Sequence, residues 1–488
     1  MLTNPKLVEI HRFEVEGEKF LLDVQRSVSM KISPVWDEIL DLVDGRPSQS
    51  VVDRLSARYD RSLLVRAIEQ LQKDGLLVPE DKLPVAPRIK VPDRPRIPIR
   101  AMDFNISHDC TMWCKYCYGG GGTYRGPRQL MSKEVAKDAV DFFVRNSGRH
   151  RRCEIIFFGG EPLMNMEVMR FVVAYAGDQF GKRGKKVRFS LTTNATLLDD
   201  EAIEFLNRNR MNVTISLDGD RETHDRLRVF RDGRGTYNHI LPRIKRFLES
   251  RRGRVPVRAT ITHYNLEVVD LARHLFDVGF DNVLMSPVAC LPSQPYSLTD
   301  EEVETLKGRY RDLAHYFLGI IRRKEPKRIM LFTAMFNLFY RATRRVYGCG
   351  GGRHYMMVDP VGDLYVCHRC GGEDRLKLGD IYNGIDPQRQ RGILENHVDA
   401  REDCGVCWAR YLCGGGCIAN NVEYYGGMSR SDPLSCDLYR HQVQLGMWLY
   451  SRVYKEHPES ITRYCQPDQR VYMREPEEEQ NGKGKSLE

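Results

Sequence analysis

Three cysteines in one short segment have the residue type and spacing for metal chemistry. Cys110, Cys114 and Cys117 follow the pattern Cys-x3-Cys-x2-Cys within eight residues. Three thiolates are one fewer than a structural zinc ion or a four-iron cluster held only by protein needs. The set therefore indicates either a cluster with one iron open to a substrate or cofactor, or a zinc knuckle completed by a nearby residue such as His108.

A second group of seven cysteines occupies the C-terminal third of the chain. Its members are Cys349, Cys367, Cys404, Cys407, Cys413, Cys417 and Cys436, with Gly362 between the first two. Seven thiolates do not divide into closed four-thiolate sites, so one site must be incomplete or take a further ligand. Cys370 lies outside this pattern as a candidate for that ligand. Cys153, Cys290 and Cys465 fit neither group and are predicted to pack in the interior.

Polar motifs follow three predicted strands and offer contacts for a small ligand. They are Gly159-Gly160-Glu161-Pro162, then Thr192-Thr193-Asn194, then Ser216-Leu217-Asp218-Gly219. Glycines let a backbone approach a ligand closely, and a carboxylate accepts from an ammonium group. Each motif alone is also compatible with an ordinary turn or helix cap. Their order on successive strands favours one shared site.

These motifs and the first cysteine set resemble the radical S-adenosylmethionine (SAM) superfamily. The resemblance covers about residues 99–290 and includes Tyr116, which precedes the last cysteine of the set. The resemblance implies a [4Fe-4S] cluster on the three cysteines, whose open iron chelates SAM and whose electron releases a 5'-deoxyadenosyl radical. It also implies contacts to SAM from Tyr116, Gly159, Gly160, Glu161, Pro162, Thr193, Asn194, Ser216 and Asp218. The catalytic residues that act on the substrate stay unassigned.

The seven-cysteine spacing is similar to that of the SPASM extension of radical SAM enzymes, which holds two auxiliary [4Fe-4S] clusters. The resemblance implies that Cys349, Cys367 and Cys417 bind cluster I. It assigns cluster II to Cys404, Cys407, Cys413 and Cys436. Cluster I then either takes Cys370 as its fourth ligand or stays open to a substrate thiolate. Three clusters are expected in total.

The elements that must position these residues are predicted from hydrophobic periodicity. Six β-branched runs alternate with amphipathic helical stretches, at 99–106, 153–158, 187–193, 212–217, 257–262 and 282–287. This alternation predicts an α/β fold with a parallel sheet, curved into a partial (β/α)6 barrel, with its chemistry at the carboxyl ends of the strands. Between Gly348 and a helix near 434–454, no regular periodicity is predicted.

The chain divides into six predicted segments. A hairpin and three short amphipathic helices form a winged-helix-like module at 1–78, and six prolines mark a linker at 79–98. The radical SAM core follows at 99–298, a helical bridge at 299–347 and the cysteine-rich SPASM region at 348–465. The charged tail at 466–488 is predicted to be disordered.

Composition sets the remaining expectations. The 75 basic and 66 acidic residues give a charge of +9, a modest excess that demands no anionic partner. No apolar run reaches the ~18 residues of a membrane span, and the first residues lack a signal-peptide core. We therefore expect a cytoplasmic chain that does not bind membranes, whose 14 cysteines serve metal binding or catalysis rather than disulfides.

The whole arrangement resembles maturases of ribosomally made peptides and proteins. The likeness is to thioether-forming (SCIFF or ranthipeptide) enzymes and to the quinohemoprotein amine dehydrogenase maturation protein. It implies that residues 1–78 bind a leader segment, that the radical takes hydrogen from a substrate carbon, and that a cysteine sulfur then bonds to that carbon. An electron donor of the flavodoxin or ferredoxin type is also implied. The alternatives are sulfatase-maturase-like oxidation, carbon–carbon crosslinking, or a zinc-ribbon protein that binds nucleic acid.

Overall fold

The computed structural model describes residues 5–85, 89–251 and 253–465, so the predicted disordered tail at 466–488 lies outside the described residues. The strands are β1 (Lys6–Leu7), β2 (Ile10–Val15), β3 (Glu18–Asp23), β4 (Val28–Lys31), β5 (Leu77–Val78), β6 (Ala101–Ser107), β7 (Arg152–Gly159), β8 (Lys186–Thr193), β9 (Asn212–Ser216), β10 (Pro256–Ile261), β11 (Asn282–Pro287), β12 (Arg328–Ile329), β13 (Tyr355–Val358), β14 (Asp363–Tyr365), β15 (Lys377–Asp380) and β16 (Gly384–Ile385).

The α-helices of the described residues are α1 (Pro34–Leu42), α2 (Ser48–Leu55), α3 (Arg61–Lys73), α4 (Lys133–Asn146), α5 (Met166–Gly181), α6 (Asp200–Arg208), α7 (Arg221–Leu227), α8 (Tyr237–Ser250), α9 (Val268–Val278), α10 (Asp300–Arg322), α11 (Met330–Tyr340), α12 (Pro387–Glu395), α13 (Glu402–Gly405), α14 (Arg410–Cys413), α15 (Ile418–Tyr425), α16 (Pro433–Glu456) and α17 (Pro458–Cys465). None of them is long and apolar enough to cross a membrane.

The central sheet confirms the α/β prediction. Strands β6 to β11 lie side by side in chain order, and every neighbouring pair is parallel. Along β7 and β10 buried residues alternate with more exposed ones, whereas every residue of β6 is buried. Because the strands are parallel, all their carboxyl ends meet at one edge, where the predicted ligand motifs lie.

Helix start signals in the sequence explain where the outer helices begin. Ser132 caps α4 by accepting a hydrogen bond from the backbone N–H of Val135. Thr299 and Glu302 form a reciprocal capping box at the start of α10. These caps supply partners for amide groups that have none inside the helix.

The region after Gly348 differs from the sequence prediction, because it contains regular strands that extend the central sheet. Strand β13 pairs parallel to β6, and β14, β15 and β16 continue as an antiparallel ribbon. The predicted SPASM region is thus joined to the radical SAM core by main-chain hydrogen bonds. Every residue of β13 is buried, so it lacks the alternation that reveals a strand in a sequence.

Residues 5–78 fold around a hydrophobic core of their own. Strands β2, β3 and β4 form an antiparallel sheet, which we call the N-terminal sheet, and helices α1 to α3 pack with it. The predicted hairpin is therefore present, with β4 as an additional strand. One face of the N-terminal sheet contacts the C-terminal region, where Leu22 packs with Leu412 and Val443.

Candidate active site and cysteine centres

The segment that carries the first three cysteines leaves the carboxyl end of β6 and is held against residues 227–230. The backbone N–H of Trp113 donates to the Val229 carbonyl at 2.8 Å, and that of Lys115 donates to the Leu227 carbonyl at 2.9 Å. Cys110 is buried, and its sulfur accepts a hydrogen bond of 3.5 Å from the Asn194 side chain. Burial, and then the neighbouring Cys114, raise the pKa of Cys110 to about 12. A bound metal cluster would instead stabilise the thiolates.

The two glycines after β7 let this loop pack tightly against the sheet. Gly159 has φ of +135°, a conformation that favours glycine, and a Cβ there would lie 2.3 Å from the Ser107 carbonyl oxygen. A Cβ on Gly160 would lie 2.2 Å from the Asp109 carbonyl oxygen. Side chains at these positions would therefore displace the backbone immediately before Cys110.

A cavity of about 300 Å³ opens at the carboxyl edge of the sheet, beside the three cysteines. Its volume lies in the range of pockets that hold small ligands. The predicted SAM contacts that line it are Tyr116, Gly159, Gly160, Thr193, Asn194 and Ser216. Three thiols at one end and a glycine-lined wall beside them fit a cluster with SAM on its open iron.

Glu161, Pro162 and Asp218 lie behind the cavity wall rather than on its surface. The Glu161 carboxylate accepts hydrogen bonds from the Thr193 hydroxyl and the Asn194 backbone N–H, each at 2.8 Å. Burial raises the pKa of Glu161 to about 7, although these hydrogen bonds lower it. The carboxylate thus fixes the edge that carries Thr193 and Asn194, and an ammonium group nearby would stabilise its charge.

A buried guanidinium completes this part of the cavity and was missed in the sequence. Arg228 is 7% exposed, lines the cavity and donates to the Tyr116 hydroxyl at 2.8 Å. The Tyr116 hydroxyl in turn donates to the Asp218 carboxylate, whose other oxygen accepts from the Thr260 backbone N–H. A buried arginine beside the cysteines provides a binding group for a ligand carboxylate. Its spacing from the cysteines in the sequence gave no sign of this proximity.

The four cysteines predicted for cluster II surround a second cavity of about 300 Å³. We call it the four-thiol cavity, and Cys404, Cys407, Cys413 and Cys436 all line it. Burial, and then Cys413, raise the pKa of Cys436 to about 12. The cavity wall is mainly apolar apart from Arg410, Arg440, Asp403 and Ser431. Four thiols around one cavity fit a fully ligated four-iron cluster.

The cysteines predicted for cluster I also lie near one another. Cys349 is exposed as a residue, but other atoms surround its sulfur, and this burial, followed by Cys367 and Cys417, raises its pKa to about 11. Arg369 donates to the Cys417 sulfur at 3.6 Å. Cys370 is 1% exposed, and its sulfur lies 3.4 Å from that of Cys367. The structure thus places a fourth thiol beside this group.

The cavity is also lined by residues from the cluster I region. His368, Arg369 and Asn420 line it together with the first three cysteines. The His368 Nδ1 lies 2.8 Å from the carboxylate of Asp103, which also accepts from the Tyr355 hydroxyl. This network was missed because its members come from β6, β13 and a cysteine-rich loop. It fixes the His368 ring against Phe158, with ring centroids 4.2 Å apart.

The structure shows where the remaining cysteines and the suggested zinc ligand lie. None of the 14 cysteines forms a disulfide. Cys153 and Cys465 are buried as predicted, whereas Cys290 is only half-buried because it follows β11 in a loop. His108, the suggested zinc ligand, stacks on Tyr124. Within residues 5–85, 89–251 and 253–465, no group of three or more His, Cys, Asp or Glu side chains is arranged to share one metal ion. Four-iron clusters space their ligands more widely than zinc does.

Comparison with known proteins agrees with the cavity and its three cysteines. Residues 104–276 match the sequence profile of the Radical SAM superfamily. The chain carries a radical SAM domain. It is therefore a SAM-dependent enzyme, since this superfamily uses SAM together with a [4Fe-4S] cluster.

Relatives of this radical SAM enzyme extend the likeness beyond the matched segment. The cysteine-type anaerobic sulfatase-maturating enzyme of Clostridium novyi is 25% identical over 371 residues, covering 68% of this chain and 91% of the relative. The structure of native anSMEcpe with bound AdoMet covers 74% of this chain and 100% of that chain, with 19% identity and a TM-score of 0.63. Streptococcus suis SuiB bound to precursor peptide SuiA covers 88% and 99%, with 15% identity and a TM-score of 0.51. Both structures share the fold of this chain.

Proposed function

We propose that this radical SAM enzyme matures a ribosomally made peptide or small protein by forming a cysteine thioether crosslink. One observation carries the proposal: a single cavity is lined both by Cys110, Cys114 and Cys117 and by His368 and Arg369, which lie beside the cluster I cysteines. A substrate carbon in this cavity would lie between the site of SAM cleavage and a second redox centre.

The proposed roles follow from these positions. When bound, SAM and the clusters supply a radical that removes hydrogen from a carbon and a path for the electron that is then released. Gly159, Gly160, Asn194 and Ser216 would orient SAM, and Arg228 would bind its carboxylate. The four-thiol cavity would hold cluster II, and Cys349, Cys367 and Cys417 would hold cluster I, which gives three [4Fe-4S] clusters with the SAM-binding one.

The partners proposed for the chain are a leader-bearing substrate and a reducing protein of the flavodoxin or ferredoxin type. Strand β4 hydrogen-bonds only to β3 in the three-stranded sheet. Its other edge offers backbone groups to an extended leader segment, which would add as a further strand. The structure of SuiB with its precursor peptide supports a peptide substrate for this fold.

A second candidate reaction is oxidation or carbon–carbon crosslinking without sulfur bonded to cluster I. It is favoured by Cys370, whose thiol next to Cys367 offers a fourth ligand and would leave no iron open for a substrate sulfur. The similarity to the sulfatase-maturating enzyme of Clostridium novyi supports the oxidation as a candidate.

Mass spectrometry of a substrate peptide separates these reactions. The chain should be co-expressed anaerobically with the small peptides encoded by neighbouring genes, and each peptide treated with a thiol-alkylating reagent. A thioether predicts the loss of two hydrogen atoms and of one alkylatable thiol, because one C–H and one S–H are replaced by a C–S bond. Loss of two hydrogens from a residue other than cysteine, with every thiol still alkylated, would instead support the second candidate. Peptides that stay unmodified while SAM is cleaved would contradict both.

A further inference from the structure

The N-terminal sheet contacts the segment that supplies three of the four cluster II cysteines. Residues of this sheet and its flanks pack with residues 404–413, although the two segments are far apart in the sequence. Helix α1 lies on the opposite face of the sheet, where its Asp37 forms an ion pair with Arg12. The sheet therefore has one face directed at its own module and one at the four-thiol cavity.

An ion pair connects the module to the wall of the four-thiol cavity. Arg410 is 6% exposed and donates to the Glu9 carboxylate, with Nη1 and Oε1 2.7 Å apart. The same Nη1 donates to the backbone carbonyl of Cys407 at 3.0 Å. Gln25 donates to the other oxygen of Glu9 at 2.8 Å and so fixes the carboxylate. Glu9 thus neutralises and orients a guanidinium that itself holds the backbone of a cluster II cysteine.

An aromatic stack makes a second connection at the next residue of the loop. The rings of His11 and Trp408 are parallel within 6°, with centroids 4.0 Å apart. Burial lowers the pKa of His11 to about 4, so the ring is neutral near pH 7 and suits an apolar stack. Trp408 follows Cys407 directly, so the stack restricts the position of that cysteine.

A third connection is an apolar cluster that includes a cluster II cysteine. Val24 is 2% exposed and packs with Cys404 and Tyr411. The backbone N–H of Val24 donates to the Glu9 carbonyl at 3.0 Å, which ties the apolar contact to the ion pair. The three contacts together attach the cysteine loop to the N-terminal module at Cys404, Trp408 and Arg410.

We propose that the N-terminal sheet is part of the cluster II site, and that Glu9, His11 and Val24 are positioning residues for its cysteines. The inference rests on the proposed function, because it takes the four-thiol cavity to be the cluster II site. Through these contacts the module supports the assembly of cluster II.

The test is the cluster content of full-length variants after anaerobic reconstitution. In Glu9→Gln and His11→Ala, iron and sulfide should fall by about a third relative to the wild type, because one of three equal clusters is lost. The signal of cluster II should disappear from electron paramagnetic resonance spectra of the reduced protein. Cleavage of SAM to 5'-deoxyadenosine should stay within about twofold of the wild type, because the distant SAM-binding cluster is retained.

Two control variants separate positioning from a general loss of stability. Glu14 is exposed on β2 and points to the face opposite His11, so Glu14→Gln should keep all iron. His11→Phe keeps an aromatic ring against Trp408 and should restore the cluster II signal that His11→Ala lacks.

Wild-type cluster content in both Glu9→Gln and His11→Ala would overturn the inference. Loss of all three clusters together in these variants would also overturn it, because that result indicates unfolding rather than local positioning. A wild-type protein with fewer than three clusters would instead overturn the proposed function on which the inference rests.

Discussion

Replacing Cys114 with alanine should abolish cleavage of SAM while leaving about two thirds of the iron in place. The proposed SAM-binding cluster has only three protein thiolates, so losing one leaves two ligands that cannot hold four irons. Cys114 lies in the same loop as Cys110 and Cys117 and lines the cavity with them. The eight cysteines from Cys349 to Cys436, Cys370 included, lie in other segments and should keep their clusters.

The measurement combines iron analysis with detection of 5'-deoxyadenosine after reduction by dithionite. Cys153→Ala is the matched control, because Cys153 is buried on β7 and belongs to none of the three groups. Removing its buried sulfur should cost some stability but no iron. SAM cleavage that survives in Cys114→Ala would remove Cys114 from the site.

Replacing Gly160 with alanine should lower the affinity for SAM by at least about tenfold, or ~1.4 kcal/mol. The new methyl group would lie 2.2 Å from the Asp109 carbonyl oxygen and 2.8 Å from the Cys110 Cβ. These are backbone and near-backbone atoms that cannot rotate away, so the cysteine loop must shift. Overpacking of this kind typically costs ~1–3 kcal/mol of stability as well.

Equilibrium dialysis with labelled SAM and thermal unfolding measure these two effects. The matched control is Gly177→Ala in α5, where an added Cβ meets no atom within 4 Å. Alanine is favoured over glycine inside a helix, so this variant should be more stable by up to about 1 kcal/mol with unchanged SAM binding. Wild-type SAM affinity in Gly160→Ala would show that the loop at Cys110 does not form the binding site.

The parts of the fold that the sequence predicted are those with local patterns. The six parallel strands of the core follow from β-branched runs between amphipathic stretches, and their observed bounds differ by at most two residues at either end. Ser132 and Thr299 cap their helices through partners that lie within three residues, so these contacts are local as well. The cysteine groups were recognisable because thiolate spacing is itself a local pattern.

The parts that the sequence could not predict depend on contacts between distant residues. Strand β13 is short, wholly buried and paired with β6, which lies about 250 positions earlier in the chain. Asp103 meets His368, and Glu9 meets Arg410, only after the chain has folded. No spacing rule connects such residues, so the His368 network and the support of the four-thiol cavity appear only in three dimensions.

These long-range contacts bring the cysteine-rich segments together. The pairing of β13 with β6 places the cluster I region against the cavity at the sheet edge. Val24, which follows the N-terminal sheet, shares a buried apolar cluster with Cys404 of the four-thiol cavity. The three cysteine groups are thus held in one continuous structure, as electron transfer among three clusters would require.

Iron and sulfide analysis of the wild-type protein tests most directly whether the chain holds the three proposed [4Fe-4S] clusters. After anaerobic reconstitution and removal of loosely bound metal, we expect about 12 iron and about 12 sulfide per chain. Mössbauer spectra should assign this iron to four-iron clusters. About four iron per chain, or zinc in place of iron at the C-terminal cysteines, would contradict the account.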